Sequence, residues 1–245
     1  MFKFFVENKQ VRDNEIIITS EDVNHIKNVL RLKEDEKIEV CTKDSQNFLC
    51  IIRNINKDEV ICDILEKDMK IIEPKTKITL FQGLPKGDKF EYIIEKCTEI
   101  GVTEITPVIM NRTIVKISDK QKKIEKWQKQ AEAAAKQCKR NVIPKINDII
   151  SVQILQEIID EYDIVLVAYE DEKTNNLRNV LKDLENKELK VGIIVGPEGG
   201  IDKSEIDILN KAKTVHLGNR ILRTETAGLV MSTIILYQLG DLDER

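Results

Sequence analysis

The chain reads as an α/β protein: a small antiparallel β-barrel followed by a parallel sheet covered by helices on both faces. Three observations predict this. Short β-branched runs separated by polar turns fill the first seventy or so residues, strand and helix patterns alternate after them, and two late apolar runs stop abruptly at glycine-bearing backbone before a helical pattern resumes. Those two stops, Gly196-Pro-Glu-Gly-Gly200 and Leu217-Gly-Asn-Arg220, lie close in sequence. They predict one shared pocket at the carboxyl ends of parallel strands.

The first domain, residues 1–72, carries β-like runs at Glu15–Thr19, Lys37–Cys41, Asn47–Asn54 and Glu59–Leu65, with polar turns such as Lys43–Gln46 and Asn54–Asp58 between them. Ser20 precedes a short helix through His25, Val29 and Leu30 that decorates the barrel. Glu73-Pro-Lys-Thr76 breaks the β pattern, so the second domain is 73–245. It opens with a strand at Ile78–Gln82 and a helix at Lys89–Ile100, whose Phe90, Ile93, Ile94 and Cys97 recur at helical spacing before the stop at Gly101. A strand at Ile105–Met110 precedes a long helix, Asp119–Arg140, with Ile124, Trp127, Ala131, Ala134 and Cys138 on one stripe. Pro144 ends that segment. Helix Ser151–Glu161, strand Asp163–Tyr169, helix Thr174–Asn186 and strand Lys190–Val195 follow. Asp202-x-x-Glu205 caps a helix at Asp202–Ala212, and strand Thr214–Leu217 leads to a last helix, Ala227–Leu239, that is apolar almost all round.

Composition bounds the function. Aromatics are only 4% of the chain, so the core is aliphatic. Cys41, Cys50, Cys62, Cys97 and Cys138 are odd in number and form no CxxC pair, which argues against a disulfide framework and against a zinc site. A reducing cytoplasm is the expected compartment. No apolar run reaches the roughly 18–20 residues that span a bilayer, and the N-terminus lacks a signal-peptide pattern. His25 and His216 stand apart, without cysteine or carboxylate at ligand spacing, and read as structural; no metal is expected. GxSxG, HExxH and a Ser/His/Asp order are all absent.

Gly196-Pro-Glu-Gly-Gly200 is not the dinucleotide fingerprint GxGxxG, and its proline removes an N–H from any phosphate cradle. The loop suits close approach of a flat neutral group such as adenine, read through main-chain N–H and C=O, with Glu198 at the rim. A plain turn joining strand to capped helix is the bland alternative. In the second loop Arg220, Arg223 and Glu225 directly precede the apolar last helix, so these charges lie against the core and need partners or a task; a cap with an internal Arg–Glu pair is the structural alternative. Residues Arg112 to Lys145 hold eleven Lys or Arg against three acids, a local net of +8 in a chain of net −4. That segregated charge fits a surface that follows a phosphate backbone.

The chain also resembles a known family, the SPOUT-class methyltransferases that methylate N3 of a uridine in small-subunit (16S) ribosomal RNA, the RsmE family. The resemblance rests on His25–Leu32, Leu84–Lys89, Thr98–Val102, Asn111–Lys116, Trp127–Gln137, Arg140 and Pro144, then Gly196–Gly200 and Leu217–Ala227, in order along the whole chain. The family usually carries Glu at position 111 and Arg at position 126, where this chain has Asn111 and Lys126. The resemblance implies a PUA-like N-terminal barrel, a SPOUT-type domain threaded as a deep trefoil knot, and a homodimer. It also implies an S-adenosylmethionine site built from Gly196, Pro197, Glu198, Gly199 and Gly200 of the first loop and Leu217, Gly218, Ile221, Leu222, Arg223, Thr226 and Ala227 of the second.

N3 of uridine carries a proton at neutral pH, so its methylation needs a base, an electrostatic sink for the anion on O2 and O4, or both. Arg223 or Arg112 is expected to supply positive potential, with Glu198 or Glu225 orienting it or accepting the proton. Lys27, Arg31, Lys86, Lys116, Lys126, Lys136 and Arg140 are the expected RNA contacts, with small-subunit ribosomal RNA or the assembled small subunit as partner. The rival readings are a non-catalytic RNA-binding or ribosome-assembly protein, a SPOUT methyltransferase with another RNA target, and, last, a dehydrogenase.

Overall fold

A computed structural model describes residues 1–67, 72–182, 184 and 188–242. The chain gathers into two compact units, Met1–Glu73 with Ala135–Ile143, and Pro74–Ala134 with Pro144–Arg245.

In the first unit, strands β1 (Lys3–Val6), β2 (Glu15–Thr19), β3 (Lys37–Thr42), β4 (Asn47–Ile55) and β5 (Glu59–Lys67) form one sheet in the order β1-β3-β4-β5-β2. Period-two alternation buries Ile16 and Ile18 of β2 and Ile38 and Val40 of β3 in an aliphatic core with Phe4, Ile26 and Ile52. The pairs are antiparallel as expected except one: β1 runs parallel to β3, Phe4 facing Val40. Four residues are too short to reveal a strand by periodicity, and the partner is more than thirty positions away. Helix α1 (Glu21–Asn24) continues as a π-turn over His25–Val29; Ser20 lends it no side-chain cap and sits at φ +67°. The segment 135–143 is tied to this unit by Arg140, whose guanidinium donates to Glu73 Oε2 at 2.6 Å while Glu73 Oε1 accepts the amides of Asn141 and Val142.

In the second unit, β6 (Lys77–Gly83), α2 (Lys89–Ile100), β7 (Glu104–Ile109), α3 (Lys120–Cys138, of which Ala135–Cys138 count with the first unit), β8 (Lys145–Ile146), β9 (Ile150–Ser151), α4 (Val152–Ile158), β10 (Ile164–Ala168), α5 (Leu177–Leu181), β11 (Lys190–Val195), α6 (Lys203–Ile208), β12 (Lys213–Val215) and α7 (Thr224–Gln238) follow one another. Every strand pair is parallel, in the order β12-β10-β11-β6-β7-β8, with β9 also on β7. The continuous burial of Val191–Val195 and of Ile164–Val167 is the mark of strands covered on both faces. Helix α2 spans the expected residues and ends at Gly101. On α3, Trp127, Ala131 and Ala134 are buried, with Trp127 against Phe90 at 4.3 Å between ring centroids.

Three helices differ from expectation. Helix α5 is only Leu177–Leu181, capped by Asn176, and residues 183, 185 and 186 of the expected helix lie outside the described residues. Helix α6 has the full capping box of Asp202 and Glu205 but ends at Ile208. Helix α7 begins at Thr224, with Arg223 as its N-cap, so Glu225 belongs to its first turn; its outer face leaves Ile234 and Tyr237 exposed, although the apolar sequence predicts burial all round. No helix among the described residues is long and apolar enough to cross a membrane. The five cysteines are free, and burial pushes the Cys50, Cys62 and Cys97 thiols up to about 12.

Candidate functional site

The carboxyl ends of β10, β11 and β12 meet the start of α7 around a cavity of about 700 Å³. Both glycine-bearing loops enter it, as the sequence predicts. Gly196, Pro197, Glu198 and Gly200 line it from the first loop, and Leu217, Gly218, Ile221, Leu222, Arg223 and Ala227 from the second. Gly199 and Thr226 are not in the lining. Gly199 faces outward to Arg112, and the Thr226 amide closes the first turn of α7 on Arg223 O.

One hydroxyl joins three of the segments. Thr224 Oγ1 donates to Gly196 O at 2.6 Å and accepts Gln82 Nε2 at 2.8 Å, and all three residues are buried. The end of β6, the end of β11 and the start of α7 are thereby pinned together in a water-poor place, where such bonds hold well. Gly83, beside Gln82, makes this approach possible: a Cβ there would stand 2.6 Å from Pro197 Cδ and 2.9 Å from Gly196 C. Sequence reasoning passed over Gln82 and Thr224. The signals were present, a polar side chain following the apolar pair Leu80-Phe81 and a threonine where a helix begins.

Charges of alternating sign stand at one side of the cavity. Lys89 Nζ is 2.9 Å from Glu198 Oε1 and 3.8 Å from Glu225 Oε2, and Arg223 is 4.0 Å from Glu225 Oε1. Glu198 also accepts the Lys86 amide at 3.0 Å. Burial pushes the Glu198 carboxyl up, but the Lys89 hydrogen bond, the backbone amides and the Lys89 charge outweigh it and hold the group below the ordinary glutamate range. Glu225 is the more enclosed acid, and its Oε2 is buried without a hydrogen bond among the described residues. The Arg223 side chain is 81% exposed.

The β10 loop adds Glu170 and Glu172, which the sequence reading did not single out. Glu172 accepts the Thr174 amide and hydroxyl, the Asn175 amide and the Thr214 hydroxyl, and these bonds hold its carboxyl well below the usual range. His216 also lines the cavity, its Nδ1 accepting the Gly218 amide at 3.2 Å.

Arg112 is not in the cavity wall. It donates to Gly199 O at 2.9 Å and Asp202 Oδ2 at 3.2 Å, bracing the first loop from behind, while the amide of Asn111 donates to the buried Glu205.

The basic stretch divides. Arg140 is 4% exposed and spent on Glu73, so it is corrected from an RNA contact to a structural residue. Lys136 is paired with Asp22 at 2.8 Å with both side chains largely covered, and Lys126 with Glu91 at 2.6 Å on the surface. Lys116, Lys120, Lys122 and Lys145 are exposed. Lys86 is exposed in the loop before α2; Lys27 and Arg31 are exposed in the first unit, Lys27 lining a shallow depression with Asn24 and Lys57. Among the described residues no cluster of His, Cys, Asp or Glu could hold a metal ion.

Comparison with known proteins gives a consistent result. Residues 72–236 match the RNA methyltransferase domain family and residues 18–65 the RNA methyltransferase PUA domain family. The chain is 36% identical to ribosomal RNA small subunit methyltransferase E of Bacillus subtilis, over 97% of each chain. It is 38% identical to the protein of that name from Mesomycoplasma hyopneumoniae, over 95% of this chain and 98% of the relative. A crystal structure of ribosomal RNA small subunit methyltransferase E from Neisseria gonorrhoeae, bound to S-adenosyl methionine, superposes with a TM-score of 0.86 at 27% identity, covering 97% of each chain.

Proposed function

The chain belongs to the ribosomal RNA small subunit methyltransferase E family of SPOUT-class RNA methyltransferases, and from that premise we propose that it methylates N3 of a uridine in small-subunit ribosomal RNA, using S-adenosylmethionine. The observation that carries the reading is the single cavity built by both glycine-bearing loops at the strand ends.

S-adenosylmethionine suits this cavity. Its volume falls in the range of small-molecule sites, glycine backbone is bare along one wall, and an enclosed Glu225 oxygen has no hydrogen bond among the described residues. The main chain at Gly196, Leu217, Gly218 and Leu222 would hold the adenine portion, and the Lys89, Glu198 and Glu225 group the charged amino-acid portion. When bound, the cofactor supplies a methyl group made electrophilic by its sulfonium.

The chain must then align the acceptor, keep water out and manage the N3 proton. Arg223 is the candidate for the positive potential that stabilises a developing uridine anion, since it is exposed at the cavity mouth with Glu225 beside it. Glu198 is a poor base while Lys89 and the Lys86 amide hold its carboxylate, which leaves Glu225, whose Oε2 has no hydrogen bond among the described residues, as the candidate proton acceptor. Arg112 supports the loop and stays out of the reaction. Arg223→Ala should cut turnover by roughly 10²–10³ while changing S-adenosylmethionine affinity less than about threefold; single-turnover kinetics with calorimetry separates the two, and an equal loss in both would reassign Arg223 to binding.

Threading of the segment before α7 through the loop after β11, as a deep trefoil knot, is part of the same reading; the bonds of Thr224 to Gly196 and Gln82 support it. So is a homodimer with a cytoplasmic location. Val230, Ile234 and Tyr237 recur at helical spacing on α7, with Tyr237 67% exposed, an apolar strip that a second copy would cover. Light scattering at micromolar concentration should return twice the chain mass, and Tyr237→Glu should lower it. RNA is gripped by Lys27 and Arg31 of the PUA-like unit and by Lys86, Lys116, Lys120 and Lys122 of the other. Incubating the protein with S-adenosylmethionine and either naked small-subunit RNA or assembled subunits, then analysing nucleosides by mass spectrometry, should yield 3-methyluridine; a methyl group on another base or on ribose would overturn the proposed target.

A further inference from the structure

We propose that Glu170 binds the ribose of S-adenosylmethionine, its carboxylate accepting the two vicinal hydroxyls; this rests on the methyltransferase reading above. Four carboxylates line the cavity, and they differ in what they already hold. Glu172 is saturated by Thr174, Asn175 and Thr214. Glu198 is held by Lys89 and the Lys86 amide, and Glu225 stands between Lys89 and Arg223. Glu170 makes no hydrogen bond or ion pair among the described residues, so its oxygens are available to a ligand.

Its place is specific. Glu170 follows Ala168, the last residue of β10, by two positions, and Ala168 pairs in register with Val195, the residue before Gly196. The Glu170 carboxylate therefore reaches the neighbouring loop, where it occupies the space that a Cβ on Gly200 would fill. Gly200, at φ +75°, is thus required twice, by its left-handed backbone and by the carboxylate lying over it. An acid beyond one parallel strand, beside a glycine turn beyond the next, is an arrangement that receives ribose hydroxyls in nucleotide-binding sheets. Two carboxylate oxygens can accept from both hydroxyls of the diol at once. The charged amino-acid end of the cofactor has partners of both signs elsewhere, in the group carried by α2, the β11 loop and α7, which leaves the uncharged sugar for Glu170.

The test is calorimetric titration of wild-type protein, Glu170→Ala and the nearly isosteric Glu170→Gln with three ligands: S-adenosylmethionine, S-adenosylhomocysteine and 2′,3′-dideoxy-S-adenosylhomocysteine. Glu170→Ala should weaken S-adenosylmethionine and S-adenosylhomocysteine equally, by about tenfold, with Glu170→Gln intermediate and the dideoxy ligand changed less than about twofold. A loss of the same size on the dideoxy ligand, or one confined to S-adenosylmethionine, overturns the proposal, the latter by assigning Glu170 to the sulfonium charge. Wild-type protein that binds none of the three, with or without RNA, overturns the methyltransferase reading and this proposal together, a result distinct from any pattern of unequal losses.

Discussion

The glycine-bearing loops and the basic stretch Arg112–Lys145 stand out equally in the sequence, yet they fare differently in the fold. The loops converge on one cavity with ten of their twelve expected residues in its wall. The basic stretch disperses: Arg140 is buried on Glu73, Lys136 pairs with Asp22, Lys126 pairs with Glu91, and Arg112 braces the Gly199 carbonyl. A glycine turn at the end of a buried strand is a local property of the backbone, so it reads directly from sequence. A charge's role depends on its partner, and Arg140 and Lys136 find theirs 67 and 114 positions away.

The largest effect that would break this contrast is at Gly83, outside both segments. Gly83→Ala places a methyl group against the backbone of Gly196 and Pro197, which cannot yield as a flexible side chain would. S-adenosylmethionine affinity should fall at least about tenfold and the melting temperature by several degrees. Unchanged binding in calorimetry would mean that the loop is not held against β6.

Next is Arg140→Gln, which leaves Glu73 buried beside an uncharged partner. Breaking such a pair costs roughly 3–5 kcal/mol, so denaturant unfolding should show a clear loss of stability. Lys116→Gln should leave stability within about 0.5 kcal/mol and instead flatten the salt dependence of RNA binding by about one unit of slope. The opposite pattern, with Arg140 governing salt dependence and Lys116 stability, would return Arg140 to the RNA surface.

A smaller effect is pH-dependent. The Glu172 carboxyl is lowered in the folded chain, first by the Thr174 hydroxyl and then by Thr214 and two amides, so its stabilisation is fully present above the ordinary glutamate range. It is lost as pH falls through the lowered folded value. The melting-temperature gap between wild type and Glu172→Gln should therefore be constant from pH 7 to pH 5.5 and close only in acid below the ordinary range. A gap that widens in acid would show that the carboxylate is not the stabilising form.

The same distinction explains what was legible in the fold. Strand β2 and helix α2 match their expected bounds because alternation and helical spacing are local. Strand β1 was not legible, since four residues acquire meaning only by parallel pairing with β3. The last helix starts three residues earlier than its apolar run suggests, because Thr224 is fixed by Gln82 and Gly196 instead of by periodicity. Glu170 left no signal in its surroundings along the chain; only β10 lying beside β11 brings it to Gly200.

The most direct test of the account is calorimetric titration of the wild-type protein with S-adenosylmethionine at low and at 0.3 M salt, with NAD as control. One saturating site per chain for S-adenosylmethionine, nearly insensitive to salt, and no heat from NAD is the result predicted if the cavity and not the basic surface takes the cofactor, as proposed. Absence of S-adenosylmethionine binding, with small-subunit RNA present as well as absent, would contradict the account and leave a non-catalytic RNA-binding protein in its place.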